Sequence, residues 1–305
     1  MKNFLGAFGH VNMDYIISLR RLPRPNTSIE ILDRRQYFGG TAGNVARAAA
    51  RLGVRTSLAS FVGDDFPTEY REALHHDGVD LTDLRVVPGS PTPTAWIFSD
   101  SKGGQMAIVD QGPMKRAASL PILRHSVRDV EVVHLGTGRP EYYLRVANLA
   151  EELGRVIAFD PSQEIHYVYS PKLFRELLRR STYFFGNEAE TLQAKRFARV
   201  SSTQALLRFA SVVIVTMGSK GSVAYTREGL VRIPRVPPTR VVDVTGAGDA
   251  YRAGFYAGLS RGYDVRRCGI LGSTVASFVV EAKGTQTNLP TWTQLLRRAR
   301  RYLSD

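Results

Sequence analysis

Asp243-Val244-Thr245-Gly246-Ala247-Gly248-Asp249 is followed at helical spacing by Ala250, Tyr251, Arg252, Ala253, Gly254 and Phe255. This junction of a glycine-rich turn with a helix start decides how the rest of the chain is read. Entered from a strand predicted at Arg240-Val241-Val242, such a turn aims the backbone N–H groups of Gly246, Ala247 and Gly248 outward at a helix N-terminus. Unpaired donors and the helix dipole favour an anion there. Asp249 falls in the first turn of the helix, beside that anion. A carboxylate repels an anionic ligand, so its presence needs a chemical reason, and accepting the proton of an attacking hydroxyl supplies one. The pattern points to phosphoryl transfer, with Asp249 as base and Gly246, Ala247 and Gly248 stabilising the transferring group. A glycine-rich loop that merely closes a helix is the competing reading, because a short Gly-x-Gly pattern alone does not decide.

Around this junction short β-rich runs alternate with helical patterns. Strands are predicted at 4–8, 56–62, 130–135, 155–159, 183–185 and 211–215, with helices at about 41–52 and 67–77. That order implies parallel strands joined by crossover helices, and the almost continuous apolar character of the later strands indicates burial on both faces. Two stretches, 14–38 and about 92–110, break the rhythm. They alternate as strands with no helix between, as in Thr94-Ala95-Trp96-Ile97-Phe98, and are expected to form a small antiparallel sheet projecting from the main one. The fold class is therefore α/β: one doubly wound, mostly parallel domain over residues 1–305 with helices on both faces.

Composition narrows the function classes. Hydrophobic residues make up 43% and charged residues 23% of the 305, and no apolar run approaches the ~20 residues that span a bilayer. Gly9, His10, Asn12 and Asp14 interrupt the opening apolar stretch, which reads as a first strand rather than a signal segment. Cys268 is the only cysteine, which excludes an internal disulfide and suits the reducing cytoplasm. The net charge of +13 invites a nucleic-acid reading, yet the 34 arginines are scattered, with only local pairs such as Arg179-Arg180 and Arg297-Arg298. A field of this sign attracts nucleotides or phosphorylated substrates, and neither nucleic acid nor membrane is expected as a partner. A regulator that binds nucleotide without chemistry is the other competing class, and Asp249 beside an intact Gly-Ala-Gly turn disfavours it.

Further motifs sit at strand ends. Gly39-Gly40-Thr41-Ala42-Gly43-Asn44 leads into a helix: the glycines let a sugar approach main chain, and Asn44 offers donor and acceptor to hydroxyls. The plain alternative is a helix cap by Thr41. Asn187-Glu188-Ala189-Glu190 follows an apolar run, and Asn187 and Glu190 share a helix face, which is also the spacing of a capping box. Thr216-Met217-Gly218-Ser219-Lys220-Gly221 follows another strand, with Lys220 read as a solvated charge. Gln163 falls where parallel sheets collect ligand groups, and Arg252 shares a face with Asp249, there either to meet phosphate or to pair with a neighbour.

The heptad 243–249, with Val244 where a second Thr is commoner, closely resembles the C-terminal signature of the PfkB, or ribokinase-like, family of carbohydrate and nucleoside kinases. The Gly39-Gly40 element resembles its N-terminal signature, and the stretches 14–38 and about 92–110 match in position the lid that the family carries over the acceptor site. Residues 94–98, 248–255, 276–284 and 288–292 resemble the archaeal nucleoside kinase branch, whose members accept several ribonucleosides and in some cases fructose 6-phosphate. The resemblance implies ATP as phosphoryl donor and Mg²⁺ held through water by Asn187 and Glu190. It implies a donor-nucleotide loop with Thr216, Gly218 and Gly221, donor phosphates met by Asn187, and a sugar site of Asp14, Gly39, Gly40 and Asn44. Asp243 and Thr245, with carbonyls from about 282–288, match positions that bind a monovalent cation such as K⁺ in many relatives. A homodimer is also raised by it.

For the acceptor, two chemistries compete. A sugar phosphate needs a cation, which Arg20, Arg21, Arg24, Arg34 and Arg35 of the lid are able to supply. A nucleoside needs a flat apolar wall and polar contacts, which Trp96, Phe98, Tyr37, Asn26 and Gln111 are able to supply, although strand alternation lets only some face inward. Because the arginines cluster near Pro23 and Pro25 at turn-like positions, most are expected to be solvated. The expected acceptor is therefore the 5′-hydroxyl of inosine, guanosine, cytidine or adenosine, with fructose 6-phosphate or another sugar phosphate as the alternative.

Overall fold

A computed structural model describes residues 2–101 and 104–304; Met1, Asp305 and, inside the second lid segment, Lys102 and Gly103 lie outside the described residues. In chain order the strands are β1 (Leu5–Phe8), β2 (Asn12–Leu19), β3 (Ile31–Gly39), β4 (Thr56–Val62), β5 (Asp80–Val86), β6 (Thr94–Asp100), β7 (Gln105–Asp110), β8 (Val132–Leu135), β9 (Val156–Phe159), β10 (Tyr183–Asn187), β11 (Val212–Thr216), β12 (Ser222–Thr226) and β13 (Gly229–Ile233). The helices are α1 (Thr41–Arg51), α2 (Thr68–His76), α3 (His125–Arg128), α4 (Pro140–Glu152), α5 (Pro171–Arg180), α6 (Glu188–Ala198), α7 (Ala247–Leu259), α8 (Val265–Val279) and α9 (Trp292–Leu303).

The main sheet has nine strands in the order β13-β12-β11-β10-β9-β8-β1-β4-β5, parallel from β5 to β11. Successive residues of its apolar runs go to opposite faces. Val132, Ala158, Phe185 and Ile214 pack with α1, α7, α8 and α9, while Val133, Ile157, Phe184 and Val213 pack with α4, α5 and α6. Burial on both faces is why the runs read as continuous. Strand order reverses between β1 and β8, so the chain opens a crevice at the carboxyl ends of these strands, the place where doubly wound sheets bind ligands.

The lid is a separate four-stranded sheet, β3-β2-β6-β7. Its two hairpins are antiparallel, as expected, but β2 and β6 join them in parallel. Both hairpins leave the main body in the same direction, which makes their inner strands run the same way. The strand predicted at 240–242 does not form. Pro234, Pro237 and Pro238 precede it, and its backbone ties are confined to Val242 and Asp243 N–H groups on the Val280 carbonyl at 2.8 and 3.2 Å. Val241 and Val244 are 62% and 66% exposed, and both line a cavity beside the turn that follows.

Candidate active site

The 243–249 turn enters α7 through Gly246, whose φ of 76° is open to glycine and strained for other residues, and a Cβ there would meet the Thr285 side chain at 2.7 Å. Among the described residues the N–H groups of Gly246 and Gly248 have no hydrogen-bond partner. Ala247, expected to join them, donates instead to the Val244 carbonyl at 3.3 Å, so the turn presents two free donors and one lightly engaged. Asp249 lies in the first helical turn, its Oδ2 accepting from the Asn44 amide at 2.8 Å. Burial pushes its carboxyl up to about 7; Asn44 opposes the rise, Asp160 and Glu190 add to it, and Arg252 opposes it.

Asn44 is buried in α1, and its Oδ1 accepts from Thr285 Oγ1 at 2.7 Å and Gln286 Nε2 at 2.9 Å. Of the four hydrogen bonds it can make, one N–H remains for a ligand hydroxyl. Thr285 and Gln286 escaped the sequence reading as side chains, because they belong to no glycine-rich signature and lie 241 and 242 residues from Asn44. Thr41 does not cap α1; Gly40 occupies that position, and the His10 carbonyl accepts from Ala42 and Gly43.

At the acceptor side, Asp14 on β2 is buried beside the β3 end. The Asn12 amide donates to it, and a Cβ added to Gly39 would run into its carboxylate. Burial raises Asp14 to about 7; Asn12 opposes this and the charges of Asp249 and Asp243 reinforce it. His10 Nδ1 meets Thr137 Oγ1 at 2.8 Å, and Thr137 meets Thr41 Oγ1 at 2.6 Å, at the point where strand order reverses. Gln163 points outward, exposed. Its neighbour Glu164 is the buried one, accepting from Gln111 Nε2 at 2.8 Å and from the Gly138 N–H, with burial raising it to about 7. Asn26 stands exposed in the loop between β2 and β3 at φ 62°, with no hydrogen bond to this cluster. Strand pairing puts Tyr37, Ala95 and Ile97 on the lid face that carries Asp14, and Trp96 and Phe98, opposite Tyr15 and Ile17, on the other face. The arginines at 20, 21, 24, 34 and 35 are all exposed.

At the donor side a cavity of about 460 Å³ abuts the anion turn. Thr216, Gly218 and Gly221 form one wall, Ala247 and Gly248 another, with Val280 and Val241 adding apolar surface. The predicted donor loop and the predicted phosphate turn thus share one space, and Lys220 lies exposed outside its lining.

Asn187 and Glu190 form the full capping box of α6: Glu190 N–H donates to Asn187 Oδ1 at 2.9 Å and Asn187 N–H to Glu190 Oε2 at 2.7 Å. Glu190 keeps its other oxygen free of hydrogen bonds, and burial with Asp160 nearby raises its pKa while Arg252 opposes. Among the described residues no three His, Cys, Asp or Glu side chains converge as a metal cage. A lone carboxylate oxygen suits a hydrated Mg²⁺ that takes its remaining ligands from water and phosphate. Asp243 is engaged by main chain, accepting from Thr245 N–H at 2.9 Å and Gly284 N–H at 3.4 Å.

Arg252 resolves to a neighbour. It is 4% exposed, pairs with Asp160 (3% exposed) at 2.8 Å, donates to the Gly248 carbonyl at 3.1 Å and lies over the Phe185 ring. It props the 243–249 turn from behind.

A doubly wound sheet, a four-stranded lid and a glycine turn with a carboxylate in the following helical turn define a phosphotransferase of ribokinase-like architecture. The chain belongs to the pfkB family of carbohydrate kinases, whose profile matches residues 2–292. It is 38% identical over 295 residues to a nucleoside kinase of Methanocaldococcus jannaschii, covering 96% of both chains. The crystal structure of that archaeal member of the ribokinase family superposes with a TM-score of 0.91 over 99% of each chain. A nucleoside kinase of Methanothermobacter thermautotrophicus is also 38% identical, over 96% of this chain and 94% of its own. A cytidine kinase of Thermococcus kodakarensis is 31% identical over 92% and 97%.

Proposed function

We propose that this protein transfers the γ-phosphoryl group of ATP to the 5′-hydroxyl of a ribonucleoside. The observation that carries the reading is the placement of Asp249: it sits in the turn that borders the donor cavity and is tethered by Asn44 to the acceptor side. In this mechanism ATP occupies the cavity between the 216–221 loop and the anion turn. The ribose lies against Asp14, Gly39, Gly40 and the remaining Asn44 N–H, its 5′-hydroxyl aimed at Asp249. Asp249 accepts the hydroxyl proton as the oxygen attacks, and Gly246 and Gly248 N–H groups, with Ala247, hold the charge of the transferring group. Asn187 and Glu190 organise Mg²⁺ through water, and Mg²⁺ supplies charge neutralisation on the donor phosphates when bound. Asp243, Thr245 and carbonyls of 282–288 are the proposed monovalent-cation positions.

Two nucleoside kinases and a cytidine kinase among the relatives support a nucleoside acceptor. So does the solvation of the lid arginines, which leaves no buried cation among the described residues of the lid for a sugar phosphate. With Trp96 and Phe98 turned away, Tyr37 and Ile97 are the lid side chains proposed to wall the base, and Gln111, held by Glu164, its polar contact. Gln163 and Asn26 remain proposed contacts from the rim. An ADP-release screen across inosine, guanosine, cytidine, adenosine and fructose 6-phosphate tests this. A higher kcat/KM for the nucleosides is expected, and the opposite order overturns the acceptor while leaving the kinase reading in place.

A further inference from the structure

Asn44 bonds Asp249 through its amide nitrogen, and the direction of that amide is set by a chain of groups reaching 242 residues along the sequence. Arg47 Nη1 donates to Gln286 Oε1 at 3.1 Å. A guanidinium has no acceptor, so this contact fixes which end of the Gln286 amide is oxygen. Tyr70 gives its only proton to the Gly39 carbonyl at 2.8 Å, so its oxygen must accept from Gln286 Nε2, at 2.6 Å. The same nitrogen donates to Asn44 Oδ1, as does Thr285 Oγ1. Asn44 is left with its NH₂ facing Asp249. Arg47 is itself held by Asp77 at 2.6 Å, and Gln286 is 8% exposed, so solvent does not scramble the polarity.

We infer that Gln286 is a positioning residue for the reaction, one that locks the Asn44 amide so that it donates to Asp249 and leaves the second Asp249 oxygen for the acceptor hydroxyl. This rests on the reading of Asp249 as base. Amide oxygen and nitrogen are nearly isosteric, so without the lock Asn44 has two orientations, one of which sets its oxygen against the carboxylate.

Gln286→Glu keeps the Arg47 contact but presents acceptors to both Tyr70 and Asn44. Asn44 then turns its NH₂ toward Glu and its oxygen toward Asp249. The expected result is a fall in kcat of about tenfold or more with the ATP KM unchanged. The acidic limb of the kcat profile moves to higher pH, with activity recovering in alkaline buffer. The other charges near Asp249, namely Asp14, Asp160, Glu190 and Arg252, are untouched by this change. Gln286→Met removes the lock without reversing it, leaving Asn44 to Thr285, whose one proton the Phe38 carbonyl also attracts. It is expected to lower Tm more than Gln286→Glu, because Arg47 and Tyr70 lose a buried partner, yet to lower kcat less. A purely structural role predicts that kcat loss follows Tm loss across the two variants, and that result overturns the inference. So does Gln286→Glu with kcat within about twofold of wild type while Asp249→Asn is inactive. An active Asp249→Asn overturns the base reading instead. If Gln286→Glu does not fold, Thr285→Val and Gln286→Met decide: each alone is mild, and together they cost more than the product of the two, whereas simple multiplication of the two effects counts against the lock.

Discussion

The helix that carries Asp249 and the lid that carries Asp14 are built from opposite materials. Every residue of α7 from Ala250 to Gly258 is buried, pressed between α1 and α8, with Gly254 so close to the Leu271 carbonyl that a Cβ would not fit. Strand β3 of the lid, by contrast, buries only Gly39, at the end where it meets α1. A catalytic carboxylate has to hold its place to within fractions of an ångström, and close packing on all sides supplies that. In the proposed mechanism the lid has only to cover an acceptor, and its outer strand β3 adds little to the core. The difference teaches where to look for each property: rate in the packed half, acceptor choice in the thin one.

The sharpest way to break this contrast is Asp249→Asn. Asparagine keeps the shape but cannot take a proton, so kcat is expected to fall by ~10²–10⁴ while ATP binding, measured by calorimetry, stays near wild type. Turnover close to wild type would remove Asp249 from the mechanism. The same variant carries a pH test. Because burial raises the folded carboxyl to about 7, above its ordinary 3.8, wild-type activity is expected to fall as pH drops through about 7. Stability runs the other way: a raised carboxyl pKa contributes stability that is complete below the ordinary carboxylate range and lost as pH rises through about 7. Wild-type Tm should therefore gain on Asp249→Asn as pH is lowered.

Next in size is Arg252→Met. It strands Asp160 as a buried, unpaired charge, for which a loss of about 3–5 kcal/mol in unfolding free energy is expected. Adding Asp160→Leu should recover much of it. A single variant as stable as wild type would mean that the pair contributes nothing to the packed half.

On the thin side, Asp14→Ala should raise the acceptor KM and leave ATP affinity alone, each lost hydrogen bond to the carboxylate costing roughly 1.5–3 kcal/mol. Equal damage to both substrates would assign Asp14 to the fold. Least of all should matter Lys220→Ala, since the side chain is exposed and outside the donor cavity lining: ATP KM is expected to move by less than ~0.5 kcal/mol equivalent, and a larger rise would make Lys220 a phosphate contact.

Much of this was legible from local pattern. The glycine turn, the capping spacing of Asn187 and Glu190, the apolar strands and the two lid segments each announce themselves within a few residues, because turn geometry, helix start signals and side-chain alternation are short-range properties. What local pattern missed has one cause. The predicted strand at 240–242 has the right residue types but no strand beside it among the described residues, and only the fold says which of two adjacent polar residues, Gln163 or Glu164, meets Gly138 and Gln111. Trp96 and Phe98 read as a base wall until strand register sent them to the far face.

The sequence by itself determined the layered α/β architecture, the glycine turn and the carboxylate that follows it, since each is a matter of backbone conformation or of residue type over a short span. Tertiary structure alone decided that Arg252 pairs with Asp160, that Asn44 turns its nitrogen toward Asp249, and that Gln286 donates to its oxygen. Those are choices of partner between residues 92 to 242 positions apart, and a hydrogen bond takes its direction from whichever group folding brings to its other end.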